Sequence, residues 1–227
     1  MHLVLFDVDG TLLRCGAHVR TLFDGVLKEV FGNYEAPRSY AFSGKTDPQI
    51  VLDLIRRTGA DDEEILPKLP AVRDAYVTRL ERGLRPEHIR MMPGVRDLLE
   101  RLAARRDVVL GLLTGNWRRG AEVKLSRLDL NRFFPFGAFG DDAVERRDLV
   151  PVAFDRAAAV SGRRFAPGEG LIVGDSVRDV DCAQAAGVRS LAVATGHTPI
   201  EELEAAGPDW VFADLEEASR EFQLFSA

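Results

Sequence analysis

A regular alternation of short apolar segments with amphipathic segments is the feature that most limits how this chain can fold. After Pro93-Gly94, four apolar segments predict strands, at Val108–Leu113, Gly170–Val173, Ser190–Ala194 and Trp210–Phe212. The amphipathic segments predict helices at Val95–Arg105, Arg118–Leu128, Val152–Ser161, Val177–Ala186 and Pro199–Ala206. Because such alternation is typical of parallel strands joined by crossover helices, the sequence predicts an α/β fold with a doubly wound, Rossmann-like parallel sheet.

The segment that follows the first strand has a different character. Residues 2–8 predict a buried strand, whereas residues 18–83 show the periodicity of helices. Three helices are predicted, the first ending near Gly32, the second before Gly59, and the third, which contains two prolines that can break it, from about Asp61 to Arg82. We therefore expect an all-helical cap domain at residues 16–88, inserted into a core domain of residues 1–15 and 89–227.

The composition makes several classes of partner unlikely on physical grounds. Of the 227 residues, 46% are hydrophobic and 29% are charged, which is enough apolar material for a folded core. The formal net charge of −6 offers no attraction to nucleic acid or to an anionic membrane. The two cysteines cannot form a disulfide scaffold, and the apolar runs are too short for a signal or membrane segment. We expect a cytoplasmic protein, either a monomer or a weak homodimer.

Two closely spaced carboxylates follow the first predicted strand. In an extended segment, Asp7 and Asp9 point to the same side about 6–7 Å apart, where they repel each other unless a cation or a proton lies between them. Gly10 then allows a sharp turn. A helix cap would need only one of these carboxylates. Because ligands of open parallel sheets bind beyond the carboxyl ends of the strands, the pair predicts a ligand site there.

A second acidic pair, Asp175 and Asp179, follows the strand that begins at Gly170. These residues could be a cap and a first-turn acid of the next helix, but two strands of one sheet would bring all four carboxylates together. Hard oxygen ligands without nearby His or Cys favour Mg²⁺, which is therefore the predicted cofactor. The candidate metal ligands are Asp7, Asp9, Asp175 and Asp179. Asp47, in the helical insertion, is expected to have no part in metal binding.

A third strand end carries Thr114, Gly115 and Asn116. A threonine hydroxyl and backbone N–H groups at a glycine turn before a helix would suit a phosphate oxygen. From these residues alone, an ordinary helix cap is an equally good interpretation. Gly115 and Asn116 are candidate contacts to a phosphate on the substrate.

These three segments resemble motifs of the haloacid dehalogenase-like (HAD) hydrolases. The segment Asp7–Thr11 resembles the first motif, Thr114–Asn116 the second, and Gly174-Asp175 with Asp179 the fourth. The helical insertion resembles the helical cap of that superfamily. The segments Ser43–Pro48 and Pro93–Val95 are similar to those of the phosphoglycolate phosphatase-type branch.

The resemblance implies a phosphatase that acts on a small phosphorylated metabolite. Asp7 would be the nucleophile that forms an aspartyl-phosphate, and Asp9 would protonate the leaving group and then activate water. Asp175 would hold Mg²⁺ together with the Asp9 carbonyl, and Asp179 would support it. Thr114 would bind the oxygens of the transferred phosphoryl group.

The third motif departs from the family pattern. The family places a lysine shortly before a Pro-x-Pro segment, and Asp148 stands at the corresponding position here. Arg146 or Arg147 would then have to supply the cation that balances the anionic site. We favour Arg146 as the catalytic cation and keep Arg147 as the alternative contact to the substrate. Lys124 and Arg118 are the next candidates.

Lys45, in the Gly-Lys-Thr loop of the insertion, is a candidate contact to the substrate, or else a solvated lysine near a helix start.

Three other functions stay open. One is a phosphomutase of the β-phosphoglucomutase kind, which would use the same aspartates. Another is a phosphonatase, in which Lys45 would form a Schiff base. The third is a non-catalytic binding module that retains the fold.

Overall fold

A computed structural model describes residues 1–37 and 39–222 of the chain. The strands are β1 (His2–Phe6), β2 (Leu13–Cys15), β3 (Ile89–Met91), β4 (Val108–Leu113), β5 (Gly137–Ala138), β6 (Gly170–Gly174), β7 (Arg189–Val193) and β8 (Trp210–Phe212). The α-helices are α1 (Ala17–Phe31), α2 (Asp47–Arg56), α3 (Asp62–Ile65), α4 (Leu69–Gly83), α5 (Val95–Ala103), α6 (Arg118–Ser126), α7 (Leu149–Ser161), α8 (Val177–Ala186), α9 (Ile200–Ala205) and α10 (Leu215–Glu221).

Six of the strands form one parallel sheet in the order β5-β4-β1-β6-β7-β8. The chain first builds outward from β1 through β4 to β5, and then returns to the other side of β1 to add β6, β7 and β8. The order therefore reverses at β1, which is where open sheets of this kind bind ligands. The predicted α/β, doubly wound class is confirmed.

Helices cover both faces of β1. Val4 and Phe6 pack in one core cluster with residues of α5 and α10, while Leu3 and Leu5 pack in a second cluster with residues of α7 and α8. Successive side chains of a strand point to opposite faces, so a strand buried on both must be apolar throughout. This explains the unbroken apolar sequence of β1.

The helices α1 to α4 leave the sheet and return to it through a two-stranded stem. In this stem β2 pairs antiparallel with β3, so that Leu13 lies opposite Met91 and Cys15 opposite Ile89. We call residues 16–88, which lie between these strands, the insertion. Their status as a separate domain stays a prediction.

The third predicted helix is divided into α3 and α4. Pro67 lies in a short 3₁₀ turn between them, and Pro70 lies in the first turn of α4. Proline is accepted in a first turn but removes a hydrogen bond from a helix interior, so the chain breaks there. The strands β2, β3 and β5 were not predicted, because an arginine interrupts the apolar character of β2 and of β3, and β5 has only two residues. Among the described residues, no helix combines the length and apolar character needed to cross a bilayer.

Candidate active site

The parallel register brings the three sequence motifs to one edge of the sheet. Phe6, the last residue of β1, lies opposite Leu112 of β4 and Val173 of β6. Asp7, Thr114 and Asp175 follow these strands and therefore lie at the same carboxyl edge. A cavity of about 600 Å³ opens above this edge, between the sheet and the insertion, and all three residues line it.

Three buried carboxylates form a compact cluster next to the cavity, which two of them, Asp7 and Asp175, line. Asp7, Asp175 and Asp179 each contribute one oxygen, and these oxygens all lie within 4.8 Å of one another. Burial, partly opposed by Arg146, raises the pKa of Asp7 to about 6. Burial together with the charges of Asp7 and Asp179 raises the pKa of Asp175 well above its usual range. The charge of Arg146 therefore does not fully offset the burial of the cluster.

The chemistry of this cluster fits Mg²⁺. The donors are hard carboxylate oxygens, and the sequence places no histidine or thiol ligand among them. When ionised, the cluster and the nearby Asp9 carry four negative charges. Arg146 and Lys124, which pair with them, carry two positive charges, so two negative charges remain. One divalent cation would balance that excess.

Arg146 supplies a buried cation to the cluster. Its Nη2 lies 3.0 Å from Asp7 Oδ1 and 2.5 Å from Asp179 Oδ1, and it also donates to the Leu113 carbonyl at 3.1 Å. The Arg146 side chain is only 5% exposed. Arg147 is exposed and lines a different surface cavity, so the structure does not bring it to the substrate side. Both arginines lie in one 3₁₀ turn (Arg146–Asp148), which points Arg146 inward and Arg147 outward.

Asp179 has little freedom to coordinate a metal directly. Its Oδ1 accepts from Arg146, and its Oδ2 accepts from the Ser176 hydroxyl at 2.6 Å and from the Ser176 N–H at 3.1 Å. Asp175 Oδ1 accepts from the Thr11 hydroxyl at 3.1 Å. Asp7 and Asp175 are therefore better placed to hold a metal, with Asp179 orienting Arg146.

Asp9 belongs to a separate polar network beside the cluster. Its Oδ2 accepts from Lys124 Nζ at 2.6 Å and from Asn116 Nδ2 at 2.7 Å. Asn116 Nδ2 also donates to the Thr114 hydroxyl at 2.8 Å. Unlike Asp7, the Asp9 side chain is 39% exposed, and it faces the cavity. The carboxylate of Asp9 thus lies outside the three-oxygen cluster, which leaves its backbone carbonyl as the predicted metal contact.

Lys124 is the cation that pairs with Asp9 in this network, a role that the sequence did not assign to it. Burial lowers the pKa of its ammonium, but the charge of Asp9 outweighs that effect, so the pKa is raised well above the usual range. The signal was present, because Lys124 lies among Ala121, Val123 and Leu125 on the buried side of α6. A lysine on an apolar helix face needs a buried acid. Arg118, the other reserve candidate, is exposed.

Two further residues at the strand ends were missed. The Thr195 hydroxyl donates to the Gly10 carbonyl at 2.5 Å and so fixes the turn after Asp9. A Cβ on Gly196 would lie 1.7 Å from Asp175 Oδ2, so only glycine leaves room for that carboxylate. Both follow β7, and a search of every strand end for polar or glycine residues would have found them.

The insertion is held against the sheet edge by the segment that precedes α2. The Asp47 N–H donates to the Gly115 carbonyl at 2.7 Å, and the Trp117 N–H donates to Asp47 Oδ2 at 2.8 Å. A Cβ on Gly115 would lie 2.1 Å from the Lys45 carbonyl, so the close approach requires glycine at that position. The insertion therefore contacts the sheet edge directly beside the cavity in this structure.

Asp47 does not behave as an ordinary acid of the insertion. It is buried and lines the cavity, and burial raises its pKa to about 7. Lys45, its near neighbour, also lines the cavity, but its ammonium donates to Asp53 at 2.5 Å and to the Tyr40 hydroxyl at 2.9 Å. Lys45 is thus neither a free surface lysine nor an unpaired contact for a substrate.

Comparison with known proteins identifies the family. The profile of the haloacid dehalogenase-like hydrolases matches residues 4–193, which is most of the chain. The chain belongs to this family, as the motifs predicted. The expected enzyme class, a hydrolase of the phosphatase type, is also confirmed.

The individual relatives agree with this assignment. The chain is similar to the phosphoglycolate phosphatase of Synechococcus elongatus, with 28% identity over 217 residues that cover 93% of this chain and 92% of that protein. It is similar to the phosphoglycolate phosphatase of Pseudomonas putida, with 29% identity over 224 residues that cover 94% and 76% of the two chains. Among solved structures, a hydrolase from Pseudomonas syringae superposes with a TM-score of 0.71 at 23% identity, covering 100% of both chains.

Proposed function

We propose that this protein is a Mg²⁺-dependent phosphatase that hydrolyses a small phosphate monoester through an aspartyl-phosphate on Asp7. The observation that carries the proposal is the placement of Asp7. It is a buried carboxylate at the end of β1, with the Arg146 guanidinium 3.0 Å from one oxygen and the Asp175 carboxylate in the same cluster. The similarity to phosphoglycolate phosphatases makes phosphoglycolate the first ester to try.

In the first step, an Asp7 oxygen attacks phosphorus and the bond from phosphorus to the alcohol oxygen breaks. Asp9, in its protonated form, gives its proton to that departing oxygen. The Arg146 guanidinium neutralises charge on the oxygens of the transferred group, and the Thr114 hydroxyl donates a hydrogen bond to them. Such electrostatic stabilisation is the main way that proteins accelerate phosphoryl transfer. Mg²⁺ held by Asp7 and Asp175 would supply further positive charge where the phosphoryl group binds.

In the second step, Asp9 is ionised and takes a proton from a water molecule as that water attacks phosphorus. The bond between phosphorus and the Asp7 oxygen then breaks, which releases inorganic phosphate and restores the Asp7 carboxylate. Lys124 and Asn116 hold Asp9 Oδ2 throughout and so keep the acid and base in one position. Asp179 keeps Arg146 aligned with Asp7.

The direct test is release of inorganic phosphate from p-nitrophenyl phosphate and from phosphoglycolate. We expect release with Mg²⁺ and its loss after chelation with EDTA, with recovery when Mg²⁺ is restored. Release that persists at full rate after chelation contradicts the metal requirement. No release from any phosphate ester favours the non-catalytic binding module.

Asp175→Ala is expected to abolish turnover or to raise the Mg²⁺ concentration for half-maximal activity by about tenfold or more, since even partners of metal ligands change affinity by that amount. Asp74→Ala is the matched control, because Asp74 is an exposed acid on α4. Asp47 is not a suitable control, since it is buried and lines the cavity. Equal Mg²⁺ titration curves for the Asp175 and Asp74 variants would show that the metal is held elsewhere.

The pairing of Lys45 argues against a phosphonatase. A Schiff base forms from an amine that has given up its proton, whereas both contacts of Lys45, to Asp53 and to Tyr40, use ammonium protons. We expect borohydride added with a carbonyl-bearing phosphonate to cause no loss of phosphatase activity. Irreversible inactivation in the wild type, with a mass increase on Lys45, would instead support the phosphonatase.

The remaining expectations stay predictions. They are a small phosphorylated metabolite as substrate, no nucleic-acid or membrane partner, a monomeric or weakly dimeric state, and a cytoplasmic location. The phosphomutase alternative also stays a prediction, because it would use the same aspartates. It differs only in whether the phosphoryl group is returned to an alcohol or passed to water.

A further inference from the structure

The cavity has a second wall whose character is opposite to that of the carboxylates. On the side of the insertion, it is lined by Phe23, Tyr40, Phe42 and Tyr76. Tyr40 and Phe42 are half-buried and offer most of the accessible ring surface, and the buried Phe23 and Tyr76 support them. Their rings form one continuous series, with centroids 5.0 Å apart for Phe23 and Tyr76, 5.8 Å for Phe23 and Phe42, and 5.4 Å for Tyr40 and Phe42. We call these four side chains the aromatic wall.

The cations of the insertion that line the cavity already have partners. Lys45 pairs with Asp53, and Arg20 lies over the Phe42 ring, 4.6 Å from its centroid. The Arg20 Nε is also 3.8 Å from Asp24. A carboxylate on a substrate would have to compete with these acids for either cation. An apolar group would not compete with these acids, and on Phe42 and Tyr40 it would share the ring surfaces with Arg20 and Lys45.

The size of the cavity also matters. Its volume of about 600 Å³ is in the range of pockets that enclose ligands of drug size. A two-carbon acid such as glycolate would leave much of that volume unfilled once its phosphate lay beside Asp7. A polar floor for the phosphate opposite an aromatic wall is complementary to a substrate with one charged end and one apolar end.

We propose that the alcohol part of the substrate carries an aromatic or other planar apolar group, which packs against the aromatic wall while the phosphate lies beside Asp7. This inference rests on the proposed phosphatase function and narrows its substrate class. The inferred substrate class differs from phosphoglycolate, because the organic part of phosphoglycolate is a small carboxylate.

The test compares benzyl phosphate, ethyl phosphate and phosphoglycolate at saturating Mg²⁺. Benzyl and ethyl phosphates both release a primary alcohol, so a difference in kcat/KM between them reports contacts of the ring. We expect kcat/KM for benzyl phosphate to be about tenfold or more above that of either other ester, the scale of apolar discrimination in a pocket. Equal values for benzyl and ethyl phosphate, or a preference for phosphoglycolate, would overturn the inference.

A binding measurement separates this inference from the proposed function. In the Asp7→Asn variant, calorimetry should show the same order of affinities without turnover. If no ester is hydrolysed by the wild type, the proposed function fails. The inference is then judged on binding alone, and it fails too unless benzyl phosphate binds about tenfold more tightly than ethyl phosphate, again on the scale of apolar discrimination.

Phe42→Leu is the variant that tests the wall itself. It removes the ring but keeps an apolar side chain, so the preference for benzyl over ethyl phosphate should fall toward one. Phe31→Leu is the matched control, since Phe31 lies at the end of α1 outside the cavity lining, and the preference should persist in it.

Arg14→Gln tests the competing carboxylate site, because Arg14 lines the cavity from β2. The inference is wrong if KM for phosphoglycolate rises in Arg14→Gln but not in the two phenylalanine variants, and KM for the other esters does not change. The substrate would then be a carboxylate.

Discussion

Turnover should fall by roughly 10⁴-fold or more when Asp7 is replaced by Asn, the scale seen when a nucleophile is removed from an enzyme. An amide cannot attack phosphorus, and Asp179, the other carboxylate that contacts Arg146, has both of its oxygens engaged by Arg146 and Ser176. The measurement is phosphate release, together with mass spectrometry after an acid quench. The wild type should show a phosphorylated Asp7 and the variant none. Turnover near the wild-type rate in Asp7→Asn would rule out the aspartyl-phosphate.

The same variant should be more stable than the wild type when no metal is bound. Burial raises the pKa of Asp7 from 3.8 in the unfolded chain to about 6 in the folded protein. Between these two pH values, Asp7 is ionised in the unfolded chain but still protonated in the folded protein. The free energy of unfolding of the wild type therefore falls as the pH rises through this window. Asparagine has no proton to lose. The metal-free variant should therefore melt at a higher temperature than the wild type above pH 6, and the difference should shrink below about pH 4.

The parts of the site that could be predicted from the sequence are those set by strand geometry. Asp7 and Asp175 directly follow strands that pair in parallel, so their position at one sheet edge follows once the strands are recognised. Thr114 follows by the same argument through β4. Each of these predictions needed only the position of a strand in the sequence and the rule that the carboxyl ends of parallel strands lie at one edge of the sheet.

The parts that could not be predicted depend on contacts between distant segments. Asp47 is an acid at the first position of α2, where a favourable interaction with the helix N-terminus is a sufficient explanation in sequence. Its burial arises only because the insertion folds back and Trp117 donates to it. Lys124 is similar, since its partner Asp9 is 115 residues away along the chain. The apolar face of α6 around Lys124 predicts an acidic partner, but the sequence does not show which acid it is.

The two arginines of the third motif show where sequence reasoning reached its limit. Arg146 and Arg147 are adjacent, and a short turn before a helix points neighbouring side chains in different directions. The sequence could favour Arg146 only by resemblance. The structure buries Arg146 against Asp7 and Asp179 and leaves Arg147 exposed.

Arg146→Ala and Arg147→Ala should therefore differ strongly, although each removes one arginine from the same turn. We expect turnover to fall about a hundredfold or more for Arg146→Ala, the scale of losing one preorganised charge contact, and to change little for Arg147→Ala. Arg146→Ala should also destabilise the protein by about 3–5 kcal/mol, because it leaves Asp7 and Asp179 buried without their shared cation. Phosphate release and urea unfolding of both variants, with and without Mg²⁺, measure the two effects.

Added Mg²⁺ should restore part of the stability lost in Arg146→Ala but little of its turnover, because a metal between Asp7 and Asp175 can offset charge without replacing the guanidinium fork on the phosphoryl oxygens. Arg146→Lys should recover stability more fully than activity, since an ammonium can contact Asp7 and Asp179 but lacks the planar fork that can bind two phosphoryl oxygens at once. Near-normal turnover in Arg146→Ala would show that the balancing cation lies elsewhere. Lys124, already 2.6 Å from Asp9, would then be the residue to replace next.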